Sequence, residues 1–398
     1  MRNLIIGIMG CLVNCSNLGC VALTYSLLSD LNIIAEKEGV EFQYVVFDER
    51  PSQEAIDQMA NKLCIDKKRI RLGTSGALQT YNFKGFLRAY SKMLIPNIQM
   101  RADIRNCDVI IDMTGGDSFS DIYGKERFYK FTSAKKESER LGVPLILGPQ
   151  TYGPFMDTKV KSYAKKVIER ARLVMARDNE SVEYLNSFCD KEVIAVTDLA
   201  FSLPFSTVRL NTSEKIKIGI NPSGLLGKAK NEQTVLDNKL MTDYDLYLSK
   251  LVEQLNADGR YELHFISHVG NEAIDCFPGF DSVKYHEAFN DPIEAKSFIS
   301  TMDVFIGSRM HATIGAFSAG VATIPVAYSK KFLGLFSALG YDSIVDLQKL
   351  STEDAVQLTI EYVTDYKHLE GNTVTSKAII EKKYQQLIDS LATVLGEL

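Results

Sequence analysis

A chain of 398 residues, 45% apolar and 24% charged, is long enough for two domains with separate cores. Its formal net charge of -5 is spread as mixed signs, which excludes nucleic acid as a partner; the basic stretch Lys159 to Arg172 reads as a solvated helix face, with a lipid contact as the lesser alternative. Seven cysteines, an odd count in a chain this long, argue against a disulfide framework and fit a reducing cytoplasm.

At the N-terminus, Arg2 precedes the apolar run Leu4 to Ile8. The run is too short, and its charged leader too slight, for a signal peptide, so it reads as a first buried strand. We find no stretch of about 20 apolar residues and expect no membrane-spanning helix. Cys11, Cys15 and Cys20 cluster next, with neither a Cys-x-x-Cys pair nor a nearby His, so no metal site is expected. Further strands are expected at Phe42–Phe47, Val109–Met113, Pro144–Leu147, Leu173–Ala176 and Val193–Val196. Helical patterns fall between them at Val21–Glu38, Phe128–Leu141, Ser162–Arg170 and Asn179–Ser187. Such alternation predicts an α/β fold with parallel strands and helices on both faces. Polar, turn-rich sequence from Thr207 to Glu214 reads as a linker. The second series has strands at Ile216–Ile220, Tyr261–Ser267, Val304–Ile306 and Thr323–Ala327, with helices at Asp243–Asp258, near Ile293–Thr301 and after Arg309. A long helical pattern, Ser376–Leu395, closes the chain. The expected organisation is therefore two doubly wound Rossmann-like domains, residues 1-208 and 214-370, facing a cleft, with a C-terminal helix over 376-398. Ligands in such sheets bind beyond the C-terminal ends of the strands.

The segment Asp303-Val-Phe-Ile-Gly-Ser-Arg-Met-His-Ala312 carries the sharpest chemical signal. A buried strand stops at Gly307-Ser308 and a helix follows, with Ser308 as the expected N-cap. Arg309 and His311 then sit in the first turn, where the macrodipole disfavours cations. Basic residues there make sense if they help to bind an anion, since the helix end supplies unsatisfied N–H groups. Other polar residues also follow expected strands: Asn17; Gly115, Gly116 and Asp117; Gln150 and Tyr152; Arg177 and Asp178; His268; Lys330 and Lys331. Each has a plainer explanation. The glycines can serve a tight turn, Asp117 and Asp178 can cap, Arg177 can pair with a carboxylate, and His268 reads as a surface or capped histidine. Their shared position after strands is what singles them out. A P-loop lysine motif, a clean Gly-x-Gly-x-x-Gly and carboxylates at metal-ligand spacing are all missing, which argues against an NTPase.

Over roughly the first 345 residues the chain resembles the polysaccharide pyruvyl transferases. The matching segments are Gly10…Asn17-Leu-Gly19, Asp108-Val-Ile-Ile-Asp-Met-Thr-Gly-Gly-Asp117, Pro144-Leu-Ile-Leu-Gly-Pro-Gln-Thr-Tyr-Gly-Pro-Phe155 and Ala176-Arg-Asp-Asn-Glu-Ser181. Asp198-Leu-Ala-Phe201, Gly307-Ser-Arg-Met-His-Ala312 and Gly320…Pro325-Val-Ala-Tyr-Ser-Lys-Lys331 complete the series. Departures such as Met310, the spacing from Gly320 to Pro325, the first-loop cysteines and Asp112-Met-Thr before the glycines bear on the acceptor more than on the fold.

The resemblance implies a GT-B-like fold, in which the helix over 376-398 packs back on the N-terminal domain, and transfer of pyruvate from phosphoenolpyruvate to a sugar as a ketal. The acceptor would be part of a polysaccharide or glycan, or a lipid-linked precursor that brings the enzyme to the inner membrane face. On this reading Arg177, Arg309, Met310, His311, Lys330 and Lys331 bind the donor, because guanidinium groups grip carboxylate and phosphate in a two-pronged way. His311 is the candidate acid, Arg309 assists, and Asp117 is either base or sugar-orienting group. Asn17, Gly115, Gly116, Asp117, Gln150 and Tyr152 form the acceptor side. No cofactor or metal is called for. The rival readings are a GT-B glycosyltransferase using a nucleotide sugar and a non-catalytic carbohydrate-binding protein.

Overall fold

The computed structural model describes residues 3–48, 50, 52–74, 98–207, 214–227 and 239–398. The expected linker, Thr207 to Glu214, falls mostly outside these, as does Arg2. The chain divides into two compact units. The first comprises Met1–Cys15, Leu23–Leu199 and Lys383–Leu398; the second comprises Ser16–Ala22 and Ala200–Lys382. One segment thus belongs elsewhere than the linear reading has it: Asn17 and Gly19 group with the second unit. Residues 383–398 group with the first.

The first unit holds a seven-stranded sheet in the order β3-β2-β1-β4-β5-β6-β7. The strands are β1 (Asn3–Met9), β2 (Glu41–Val46), β3 (Ile70–Leu72), β4 (Val109–Asp112), β5 (Leu145–Gln150), β6 (Leu173–Ala176) and β7 (Ile194–Ala195). The pairings are parallel throughout, with Ile6 opposite Val109 on one side of β1 and opposite Tyr44 on the other. Every residue of β4, β5 and β6 is buried, as expected of parallel strands covered by helices on both faces. The covering helices include α1 (Leu18–Glu38), α2 (Gln53–Lys62), α3 (Lys125–Arg140), α4 (Thr158–Arg170) and α5 (Asn179–Asn186). In α4, Asp157 caps the N–H groups of Lys159 and Val160, and the helix buries Val160, Ala164, Val167 and Ile168 along one stripe.

The second unit repeats the plan with six strands in the order β10-β9-β8-β11-β12-β13. These are β8 (Ile216–Asn221), β9 (Tyr261–Ile266), β10 (Val283–His286), β11 (Val304–Gly307), β12 (Ala322–Ala327) and β13 (Val345–Asp346). Its helices include α6 (Tyr244–Asp258), α7 (Glu272–Cys276), α8 (Pro292–Ile299), α9 (Met310–Ser318), α10 (Lys330–Ser337) and α11 (Thr352–Thr364). The strand order reverses direction between β1 and β4 in one sheet and between β8 and β11 in the other. Such switch points are where open α/β sheets leave a crevice for ligands. The last helix, α12 (Tyr366–Gly396), starts ahead of the expected Ser376.

One sequence expectation needs correcting. Helix α1 is long and apolar enough to cross a membrane, with a mean hydropathy of 1.5 over its best window. Its composition has another cause: 78% of that window is buried within the protein, Leu27, Leu28 and Leu31 completely so.

Candidate functional site

In the first unit, the residues past the strand ends form a closed polar network. The turn after β4 takes positive φ at three successive positions, Thr114 (38°), Gly115 (60°) and Gly116 (84°). A side chain at Gly116 would be strained by that φ, and its Cβ would lie 2.9 Å from Leu23 and 3.0 Å from the Arg177 guanidinium. The N–H groups of Gly115 and Gly116 are spent on Gly10 and Met113 carbonyls, so this turn is braced rather than open to an anion. Beneath it, Asp112 is fully buried and ion-paired with the equally buried Lys135 at 2.8 Å. The Thr114 hydroxyl donates to Asp112 at 2.5 Å, and the Gln150 amide reaches the same carboxylate at 3.4 Å.

Two sequence assignments change here. Gln150 and Tyr152, expected to bind acceptor, turn their side chains inward: Gln150 donates to the Tyr152 hydroxyl, which itself donates to the Gly148 carbonyl. Arg177, expected among the donor ligands, is engaged within the first unit. Its guanidinium is buried, donates to Thr151 at 3.0 Å and pairs with Asp198 at 2.5 Å. Burial works against its charge, but Asp198, Asp117 and Asp178 outweigh it and raise the pKa further. The groups left nearer the surface are Asp117, which is half-buried, and Tyr123, whose hydroxyl donates to Asp117 at 2.9 Å. The Arg127 guanidinium packs over the Tyr123 ring at 5.1 Å.

In the second unit, β8, β9 and β11 end around one cluster. The N-cap of α9 is Arg309 (φ -106°, ψ 122°), not Ser308. The Ser308 hydroxyl is engaged instead by the buried Tyr244, whose O–H donates to it at 2.8 Å. No side chain caps α9. Arg309 N–H donates to the Asn221 side-chain carbonyl at 3.0 Å, locking the residue to the end of β8. Its guanidinium forms a two-pronged pair with the buried Glu272 of α7, through Nε at 3.0 Å and through a second N–H. Glu272 also accepts from the Gly224 N–H at 2.5 Å. Arg309 is therefore a braced cation, already half-engaged, and Glu272 is a partner the sequence reading missed.

His311 stands one residue into α9, and its ring lies against Gly19. A Cβ at Gly19 would sit 2.5 Å from His311 Nδ1, so glycine is what permits this approach. The loop before α1 is tied in by an antiparallel bridge between Asn17 and Val269, by Gly270 N–H on the Ser16 carbonyl and by Leu18 N–H on the His268 carbonyl. Asn17 also accepts the Gly19 N–H on its side chain at 3.1 Å, which makes it a brace of the His311 neighbourhood rather than a residue of the first unit. His268, expected at the surface or capped, is 6% exposed and has no ring partner among the described residues. Lys330 opens α10 and is exposed, and Lys331 follows it; both come after β12 in this unit. Among the described residues no group of three His, Cys, Asp or Glu side chains is arranged to hold a metal ion. A cavity of about 430 Å³ lined by Lys135, Glu139, Pro144, Arg170 and Arg172 lies at the N-terminal end of β5.

Two Rossmann-like sheets with polar residues collected past the strand ends are the features of the GT-B class. Solved structures agree on the fold. The chain is similar to the UDP-GlcNAc 2-epimerase of Neisseria meningitidis, with a TM-score of 0.57 at 11% identity, over 96% of this chain and 99% of that one. It is also similar to a glycosyltransferase from Rickettsia africae, with a TM-score of 0.55 at 10% identity, over 100% of this chain and 98% of that one. The particular assignment comes from sequence: the polysaccharide pyruvyl transferase model matches residues 17–330, and the chain belongs to that family. The amylovoran biosynthesis protein AmsJ of Erwinia amylovora is 21% identical over 296 residues, 68% of this chain and 69% of the relative. The protein is thus a transferase of polysaccharide biosynthesis.

Proposed function

We propose that the protein transfers pyruvate from phosphoenolpyruvate to two hydroxyls of one sugar, forming a pyruvate ketal and releasing phosphate. The observation that carries this reading is the start of α9, where an uncapped helix end, the braced Arg309 and the His311 ring meet beyond the switch point of the second sheet. A helix end of this kind favours a compact anion, and Arg309 adds directional donors for a carboxylate or phosphate. Lys330 and Lys331 add positive charge after the neighbouring strand.

In the reaction, His311 protonates the methylene carbon of the donor, making the adjacent carbon electrophilic. A sugar hydroxyl bonds to that carbon, the carbon–oxygen bond to phosphate breaks, and a second hydroxyl closes the ketal. Of the two hydroxyl protons, one leaves with phosphate and the other restores the acid. Asp117, held by Tyr123 on its braced turn, is the candidate to accept a sugar hydroxyl's proton or orient the sugar. A phosphoenolpyruvate donor places the reaction in the cytoplasm, and a lipid-linked acceptor would bring it to the inner membrane face. The test is release of phosphate from phosphoenolpyruvate in the presence of candidate sugar acceptors, with the ketal methyl followed by NMR. Phosphate release with a new methyl signal supports the reading. Consumption of a nucleotide sugar in its place would assign glycosyl transfer, which the fold also permits.

A further inference from the structure

His268 follows β9 and is buried, yet neither Nδ1 nor Nε2 has a hydrogen-bond partner among the described residues. Several groups around it are paired. Ser267 accepts the Ala273 N–H at 3.0 Å, Asn221 donates to the Ile266 carbonyl at 2.8 Å, and Glu272 is held by Arg309 and Gly224. The backbone of His268 is fixed too, through its carbonyl and the Asn17–Val269 bridge. A buried polar group without a partner carries an uncompensated desolvation cost, and such groups in native proteins call for a specific explanation. Packing does not supply one, because an apolar ring of similar size would fill the space without that cost.

Burial, with the nearby charges of His311 and Arg309, brings the His268 pKa down to about 3. The ring is therefore neutral at physiological pH, with an N–H donor on one nitrogen and a lone pair on the other. It neighbours the same two residues that define the uncapped start of α9. Whichever nitrogen carries it, the N–H can donate to an oxygen of a bound anion; a phosphoryl group offers three such oxygens where a carboxylate offers two and, as monohydrogen phosphate, a P–OH donor for the lone pair.

We propose that His268 is a further donor-binding residue, making a hydrogen bond to the phosphoryl group of the anion held at the start of α9. The inference rests on the donor reading above, and its test separates the two by using inorganic phosphate beside phosphoenolpyruvate. Thermal stability and calorimetric binding of both probes are measured for the wild type, His268→Phe, His268→Asn and His268→Gln, together with the split between KM and kcat for the donor. The expected result is a higher melting temperature for ligand-free His268→Phe and at least tenfold weaker binding of both probes. At least one of the amide variants should recover part of that affinity. KM for the donor should rise more than kcat falls. Should His268→Phe fold poorly, the amide pair still decides, since equal phosphate affinity in the wild type and both amides, with a lowered melting temperature, would show a structural role. Failure of the wild type to bind either probe also overturns the proposal. Phosphate binding that depends on His268, with phosphoenolpyruvate inert, would keep the phosphoryl contact and remove the donor assignment.

Discussion

The two units set polar residues at the same place, past the C-terminal ends of parallel strands, and use them differently. In the first, the buried charges close on one another: Asp112 with Lys135, and Arg177 with Asp198. These pairs hold up the turn that presents Asp117. In the second, the pairing is incomplete. Glu272 braces Arg309, but the helix behind it has no side-chain cap and His268 has no ring partner among the described residues. Paired buried charges maintain a shape, whereas under-satisfied polar groups kept in a native fold are a cost that ligand binding offsets. A charged residue after a strand does not reveal which case it is; burial and partners do.

The largest expected break in this comparison is at His311. Replacing it by Ala should lower kcat by roughly 10²- to 10⁴-fold while leaving phosphoenolpyruvate affinity largely intact. Equal losses in binding and turnover, measured by calorimetry and steady-state kinetics, would remove the acid role. In the first unit the expected damage is to folding. Lys135→Ala leaves Asp112 buried without its cation and should cost roughly 3–5 kcal/mol in chemical denaturation. A loss below about 1 kcal/mol, the range of exposed pairs, would mean that Asp112 is not dependent on Lys135.

A smaller effect sharpens the contrast within the second unit. Lys296 of α8 is buried, donates to the Leu203 carbonyl at 2.7 Å, and lies 4.8 Å from the Phe205 ring centroid. Burial lowers its pKa to about 7. In the unfolded chain a lysine titrates near ~10.4. Between these values the unfolded state binds more protons, so this group makes stability rise with pH from about 7 toward 10. Denaturation midpoints across that window should climb less in Lys296→Met than in the wild type. Parallel profiles would show that Lys296 is charged in the folded protein.

Much of the fold was legible in the sequence because buried parallel strands are short, unbroken apolar runs. Leu173–Ala176 was located to the residue, and Val304–Ile306 to within one. Edge strands carry it less well: β7 is anticipated by Val193–Val196, but β3, β10 and β13 are not. β13 has two residues, and β10 reads Val-Lys-Tyr-His, with only Val283 buried. The start of α9 was placed within a residue, but its cap was not, since nothing local shows that Tyr244 claims the Ser308 hydroxyl. Partners distant in sequence were equally invisible: Glu272 lies 37 residues before Arg309. Gln150 and Tyr152 follow a strand as binding residues do, and only the three-dimensional network shows them facing inward.

The most direct test of the donor assignment is calorimetric titration of phosphoenolpyruvate into the wild type, Arg309→Ala and Asp117→Asn. The account predicts binding to the wild type, nearly unchanged binding to Asp117→Asn, and affinity lowered roughly 10- to 100-fold in Arg309→Ala, the loss expected for charged hydrogen bonds. Unchanged affinity in Arg309→Ala, or a loss confined to Asp117→Asn, would contradict it.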